Sequence, residues 1–387
     1  MSDEEPERPD TPSLEKRVTQ PGRHVGDRYV RIMRPTGSGI KGHGGRYVAT
    51  EQTMDRTGRV GHAWDGAVRF LIGKRLHSDA ESEERVSVAT GLPILASDNI
   101  SSSAYATEEA MRILAIAGTA ALALTMPIAL AVVFVLAIVI LSESRVIRAY
   151  PNGGGSYLVA RENHGVIAGL VAASALLIDY VLTVAVSTAA GVAAISSFLP
   201  QLHEQRVLVG VVLIAVLAIA NLRGVREAGL LFAAPTYAYM LAMYGLLAFG
   251  LFRIFTGDVP APVTPPDPFL PEGTAALSIL LVLRAFASGS VGLTGSEAVA
   301  NGVPSFRRPE ARNAVITLVL MGTIFATIFL GVTYLATRIG IQPDQSEIET
   351  VNSMITRAVV EMPLTTLSTF FPVFRYSSRM RESRKTS

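Results

Sequence analysis

From about residue 88 the chain alternates long apolar runs with short charged connections, whereas residues 1–85 are polar throughout. Seven apolar segments are read, near 88–116, 118–141, 166–199, 207–222, 229–252, 277–300 and 314–335. Runs of about 20 apolar residues have the length of a bilayer-crossing helix. The second, Gly118–Leu141, has no charge, and the third, Val166–Leu199, has only Asp179. As one helix the third would be about 50 Å long, against a hydrocarbon core of about 30 Å, so it must tilt or project.

Two of the seven are interrupted, and the interruptions echo each other. One reads Ala96-Ser97-Asp98-Asn99-Ile100-Ser101-Ser102-Ser103-Ala104-Tyr105, with Glu108 and Glu109 beyond. The other reads Ala287-Ser288-Gly289-Ser290-Val291-Gly292-Leu293-Thr294-Gly295-Ser296-Glu297. Each opens on Ala-Ser, continues through small polar residues and carries an acid on the far side. Unwound backbone at membrane depth is tolerated only where it is buried in protein or lines a cavity. Paired breaks in matching halves mark the place where a transporter holds its solute.

The flanking regions read differently. Residues 1–66 are rich in Gly, Arg, Asp, Glu and Thr without sustained apolar period, the composition of a disordered extension. Trp64–Leu76 mixes Trp64, Phe70 and Leu71 with Arg69, Lys74 and Arg75 and predicts a short interfacial helix on the cytoplasmic side, so 67–87 reads as that helix and a linker. The transmembrane domain is expected over 88–360. Beyond it, 361–387 is a Pro-interrupted, basic stretch too short to span, which suggests a lost C-terminal part.

Composition narrows the class. Only 17% of the 387 residues are charged and 49% are hydrophobic, which excludes an ordinary soluble domain and gives an all-α polytopic membrane protein with the lipid bilayer as its partner. Without cysteine there is neither disulfide nor thiolate metal site. A net charge of +2 gives no argument for nucleic acid, and no nucleophile–base pair suggests an enzyme or a bound cofactor. Arg145, Arg148, Arg161, Arg223, Arg226, Arg307, Arg308 and Arg312 fall in alternate loops, while 256–276 and 338–350 are net acidic. That pattern puts the N-terminus in the cytoplasm of a cell whose plasma membrane the chain crosses repeatedly.

Several residues within the apolar segments carry chemistry. Asp98 is either a functional carboxylate or the cap of the half-helix that follows. Asp179, Thr183 and Ser187 recur every four residues as one polar stripe, suited to an oxygen-coordinated cation or to interhelical hydrogen bonding. Tyr105 faces either the same cavity or a packing interface. Thr294 and Glu297 lie in and just past the second break, where Glu297 either exchanges protons or pairs with Arg284 or with a cytoplasmic arginine. Glu108 and Glu109 either draw cations or cap, with Arg112 as a salt-bridge partner.

The loop Tyr150-Pro151-Asn152-Gly153-Gly154-Gly155-Ser156-Tyr157, and Asn221-Leu222-Arg223-Gly224-Val225, resemble those of the amino acid–polyamine–cation (APC) superfamily. Within it, Arg69–Lys74, Ser97–Tyr105, Leu177–Ser187 and Leu293–Ala298 resemble the KimA-like, KUP-type potassium transporters, over roughly residues 67–360. The resemblance implies a LeuT-type fold of two inverted five-helix repeats with broken helices 1 and 6, the second repeat being incomplete here. It implies alternating-access uptake of potassium coupled to protons, and a possible homodimer. Asp98, Tyr105, Asp179, Thr183 and Thr294 would hold the potassium ion, and Glu297 would carry the proton. Two alternatives stand beside it: an amino acid permease, whose substrate carboxylate Asp98 would repel, and a truncated product that does not transport.

Overall fold

The computed structural model describes residues 16–21, 28–33, 40–43, 46–49, 85–222 and 225–360. The interfacial helix expected at Trp64–Leu76, the linker up to 84 and the tail 361–387 lie outside them. The chain divides into two units, Met1–Lys74 and Arg75–Ser387.

In the first unit, inside the extension expected to have no regular structure, two antiparallel pairs form instead. Strand β1 (Lys16–Pro21) pairs with β2 (Arg28–Met33), and β3 (Ile40–His43) with β4 (Arg46–Ala49). The local reason is a short period-two alternation such as Val30/Ile32, which a search for long apolar runs passes over.

The second unit is helical. Its first apolar segment is three short helices, α1 (Val88–Leu95), α2 (Ser97–Ser102) and α3 (Ala106–Ala115). Then follow α4 (Thr125–Ala149), α5 (Gly155–His164), α6 (Val166–Phe198), α7 (Arg206–Leu222) and α8 (Val225–Phe255). The second interrupted segment is α9 (Ile279–Gly289), a 3₁₀ turn at Ser290–Leu293, and α10 (Ser296–Asn301). Helices α11 (Glu310–Ile339) and α12 (Val351–Val360) complete the described residues. Among the described residues, six stretches are long and apolar enough to cross a membrane: 119–149, 166–198, 200–220, 232–255, 279–301 and 310–339. They match the second to seventh segments read from the sequence; the first, being broken, is no continuous span.

Helix α11 is the centre. Half of its most apolar stretch is buried, and it packs against α4, α8, α1 and α2. Lipid tails are as apolar as leucine, so helices in a bilayer associate by close packing rather than by escape from water. Glycines supply the closeness here: the Phe325 ring of α11 sits on Gly292 of the second break, and Ile140 of α4 sits on Gly322. Phe325 also stacks on Phe329, with ring centroids 5.2 Å apart. Helix α6 is one unbroken rod of 33 residues, as its length of apolar sequence predicts, but it is largely exposed; besides its chain neighbours α5 and α7 it touches α2 and α12.

The segment from Asp344 to Val360 is fastened to the rest of the helices. Asp344, fully buried, accepts hydrogen bonds from the backbone N–H groups of Asp267, Ile348 and Glu349. Helix α12, which no run of spanning length announces, buries Val351, Met354, Ile355, Ala358 and Val359. Its two ends are held by charges from other helices. The Glu108 carboxylate of α3 accepts from Val351 N–H at 3.0 Å, and the Arg253 guanidinium of α8 donates to the Val359 carbonyl at 2.7 Å. Both arrangements complement the helix dipole.

Candidate functional site

The first break opens where three consecutive serines compete with the helix ladder. Ser101 and Ser102 hydroxyls donate to the Asp98 carbonyl at 2.8 and 3.0 Å, and Ser103 donates to the Ile100 carbonyl at 2.6 Å. Side chains that bond the carbonyls three and four residues back satisfy groups the opened ladder would otherwise orphan. The second break uses the same device. Ser290 donates to the Phe286 carbonyl at 2.7 Å and Thr294 to the Val291 carbonyl at 2.9 Å. Gly295 then starts α10 at φ +89°, a left-handed conformation that favours glycine.

The two breaks lie against each other. Asn99, fully buried, donates its Nδ2 hydrogen to the Gly292 carbonyl across 193 residues of sequence. The absence of a Cβ at Gly295 admits the Asp98 carboxylate, whose Oδ2 lies 2.7 Å from where that Cβ would stand. The loop glycines Gly153 and Gly155 close on the same region, packing against the backbone and side chain of Asn301 at the end of α10. This is the tight re-entrant turn that Asn152–Gly155 suggests.

Three carboxylates gather at this junction. Asp98 on α2 lies within electrostatic reach of Asp179 on α6 and of Glu297 on α10, and Asp179 acts on Glu297 in turn. Asp98 Oδ1 and Glu297 Oε2 are buried and have no hydrogen-bond partner. A buried carboxylate oxygen without a partner is costly, and it is relieved by a proton or a cation. No three Asp, Glu or His side chains among the described residues converge closely enough to chelate a metal ion. A cation at this junction would therefore lean on hydroxyls and the carbonyls of the breaks as much as on carboxylates.

The expected residues do not all share one space. Thr183 is one turn from Asp179 on α6 and half-buried. Thr294 is half-buried in the second break, its hydroxyl already donating to Val291. Tyr105 is buried, and its phenol oxygen lies 3.1 Å from both Ser102 Oγ and Ser187 Oγ. Of the six, only Tyr105 lines a cavity of about 640 Å³ between the first break, α6, α8 and the start of α12. Arg284 is exposed and makes no ion pair with Glu297 among the described residues.

Sequence reasoning missed two contributors. Glu143 of α4 has a buried, unpartnered Oε2 and feels the charge of Glu297. Its signal is a lone acid, between Ser142 and Ser144, at the point where the uncharged run of α4 gives way to Arg145 and Arg148. Tyr239 of α8 meets Ser103 at 2.9 Å and lines the cavity. A tyrosine in an apolar helix carried no signal of that contact.

Six bilayer-length helices and two facing breaks define a multi-pass membrane protein of the transporter-like kind, its polar centre built from unwound backbone. The sequence profile of the family described as amino acid permease matches residues 86–374. The chain belongs to that family. It is 44% identical over 279 residues, 72% of its length, to a protein named potassium transporter KimA from Bacillus subtilis (strain 168). That match spans 46% of the relative's length.

Proposed function

We propose that the protein is a secondary transporter that takes up potassium together with protons by alternating access. The observation that carries this reading is the meeting of Asp98, Asp179 and Glu297 beside two opened helices joined by the hydrogen bond from Asn99 Nδ2 to the Gly292 carbonyl. In this reading Asp98, Tyr105, Asp179, Thr183 and Thr294 contact the cation in the course of transport, and Glu297 carries the proton. Potassium is weakly hydrated and takes oxygen ligands, including backbone carbonyls, in place of its water. The likeness to a protein named as a potassium transporter supports the choice of cation. The basic residues of alternate loops support a cytoplasmic N-terminus in the plasma membrane.

Uptake of radioactive rubidium into proteoliposomes tests it. Asp179→Asn should abolish accumulation, and Glu297→Gln should remove its dependence on an imposed proton gradient. Undiminished uptake by Asp179→Asn would remove Asp179 from the site. The family's description favours a second reading, amino acid permeation. Asp98 weighs against it, because a substrate carboxylate is normally bound by the free N–H groups of a broken helix, and a second carboxylate there repels it. Uptake competed by amino acids and not by rubidium would reverse the order.

A further inference from the structure

We propose that Glu347 is an ionic latch between two neighbouring cavities. It holds the Tyr105 cavity shut while it pairs with Arg112, and opens it by passing to Arg206. The transport reading gives these three residues no role, and the latch rests on that reading only for facing the outer side of the membrane.

The backbone of the latch is built by one buried carboxylate. Asp344 accepts hydrogen bonds from the Ser346 hydroxyl at 3.2 Å, from Ile348 N–H at 2.7 Å and from Glu349 N–H at 3.1 Å. The turn it closes carries Glu347 at φ +59°, the one non-glycine residue with a positive φ among the described residues. That conformation suits glycine, and in an L-residue it presses Cβ against the following carbonyl oxygen. A glutamate held where the backbone favours glycine is held for its side chain. Residues of this kind concentrate at clamps and switches, where the surrounding structure enforces the conformation.

The side chain divides its two oxygens between two helices. Oε1 meets Arg112 of α3 at 2.8 Å, and Oε2 meets Arg206 of α7 at 3.9 Å. Arg112 lines the cavity of about 640 Å³ that Tyr105 lines. Arg206 lines a second cavity, of about 410 Å³, between α6 and α7. The two linings share three residues: Ala189 and Ala193 of α6, and Glu347 itself. The alanines are fixed methyl groups on a helix, so Glu347 is the one part of this partition that can swing. Moving it from Arg112 towards Arg206 exchanges one guanidinium for another. Arg112 then keeps Glu108 at 4.0 Å on its own helix and the Gln345 carbonyl at 3.4 Å. Breaking a lone ion pair in an enclosed place would instead strand both charges. Two partners for one carboxylate, each on a different cavity wall, make a two-state element.

The chain has no cysteine, so one introduced thiol reports one place. Ala190 lines the Tyr105 cavity and not the other. The rate at which a neutral methanethiosulfonate modifies Ala190→Cys, in the purified chain in mixed micelles, measures access to that cavity. Glu347→Gly removes the carboxylate and keeps the turn, because glycine takes a positive φ without strain. It should speed modification roughly fivefold, the worth of a half-exposed ion pair. Arg112→Gln should do the same. Arg206→Gln removes the partner of the open arrangement and should slow modification below the parent rate, whereas a loosened fold would speed all three. Equal rates in the parent and Glu347→Gly, or Arg206→Gln as fast as Arg112→Gln, would overturn the latch. The labelling involves no transported ion, so its failure leaves the loss of rubidium uptake in Asp179→Asn untouched, and the converse holds.

Discussion

Replacing Gly295 with alanine tests how closely the two breaks are pressed together. The residue has φ +89°, and a Cβ there would lie 2.7 Å from Asp98 Oδ2 and 3.2 Å from the Asn99 backbone nitrogen. Holding an L-residue in the left-handed region costs roughly 1–2 kcal/mol. Ordinary van der Waals contact begins near 3.4 Å, so the carboxylate oxygen must also retreat, and forcing atoms apart in a packed interior costs about 1–3 kcal/mol. The sum is a loss of about 2–5 kcal/mol. Gly245→Ala is the control: it lies within α8, nothing stands within 4 Å of its Cβ position, and alanine should gain about 0.5–1 kcal/mol there. Equilibrium unfolding in mixed micelles, followed by circular dichroism, reads both. Asp98→Ala in the Gly295→Ala background separates the two causes, because it removes the contact and leaves the backbone strain, giving a coupling of about 1–3 kcal/mol. If Gly295→Ala unfolds at the same denaturant concentration as the parent, the Asp98–Gly295 contact is not part of the folded protein.

Three further outcomes are expected. Gly292→Ala should drive the Phe325 ring from its seat and destabilise by about 1–3 kcal/mol, with Phe325→Leu recovering part of the loss in the same unfolding measurement. Glu108→Ala leaves the Val351 N–H without its acceptor, so amide exchange at Val351 should accelerate roughly 30-fold, equivalent to about 2 kcal/mol, while exchange in α4 is unaltered. Asp258, in the loop after α8, is held below the usual carboxylate range by the hydrogen bond from Arg253. Its contribution is complete above the unfolded aspartate value of about 4 and is lost only as pH falls through the lower folded value. The difference in melting temperature between parent and Asp258→Asn should thus be constant from about pH 5 to 8 and shrink below about pH 4.

What could be read from sequence was whatever a local pattern encodes. Ser101, Ser102 and Ser103 stand together, and their hydroxyls do reach back to the carbonyls of their own helix, so the first break was legible. Gly289 to Gly295 announced the second for the same reason. The contact between the breaks was not legible, because Asn99 chooses a backbone carbonyl and a carbonyl has no letter in the sequence. Glu108 illustrates the same blindness: either capping or cation attraction fitted it, and its partner proved to be a backbone N–H 243 residues away. Helix α12 was missed although Val351, Met354, Ile355 and Ala358 keep helical spacing; at ten residues it falls below the length that marks a span. Asp179 and Thr183 lie one turn apart on α6, as their spacing predicts, yet spacing does not say how much of a helix face meets a partner, and this face is half-exposed.

The attachment of α12 has a consequence for how the protein responds to its medium. Glu108 and Arg253, which grip its two ends, are each only 7% exposed, whereas Glu347, the acid that Arg112 and Arg206 share, is half-exposed. Dissolved ions screen exposed charges over about 10 Å at 0.1 M and reach buried ones far less. The same segment is therefore fastened twice, by a rim that loosens in brine and by an anchor that does not. Raising ionic strength should free the Glu347 loop while α12 stays docked on α8 and α11, with the bonds at its two ends intact.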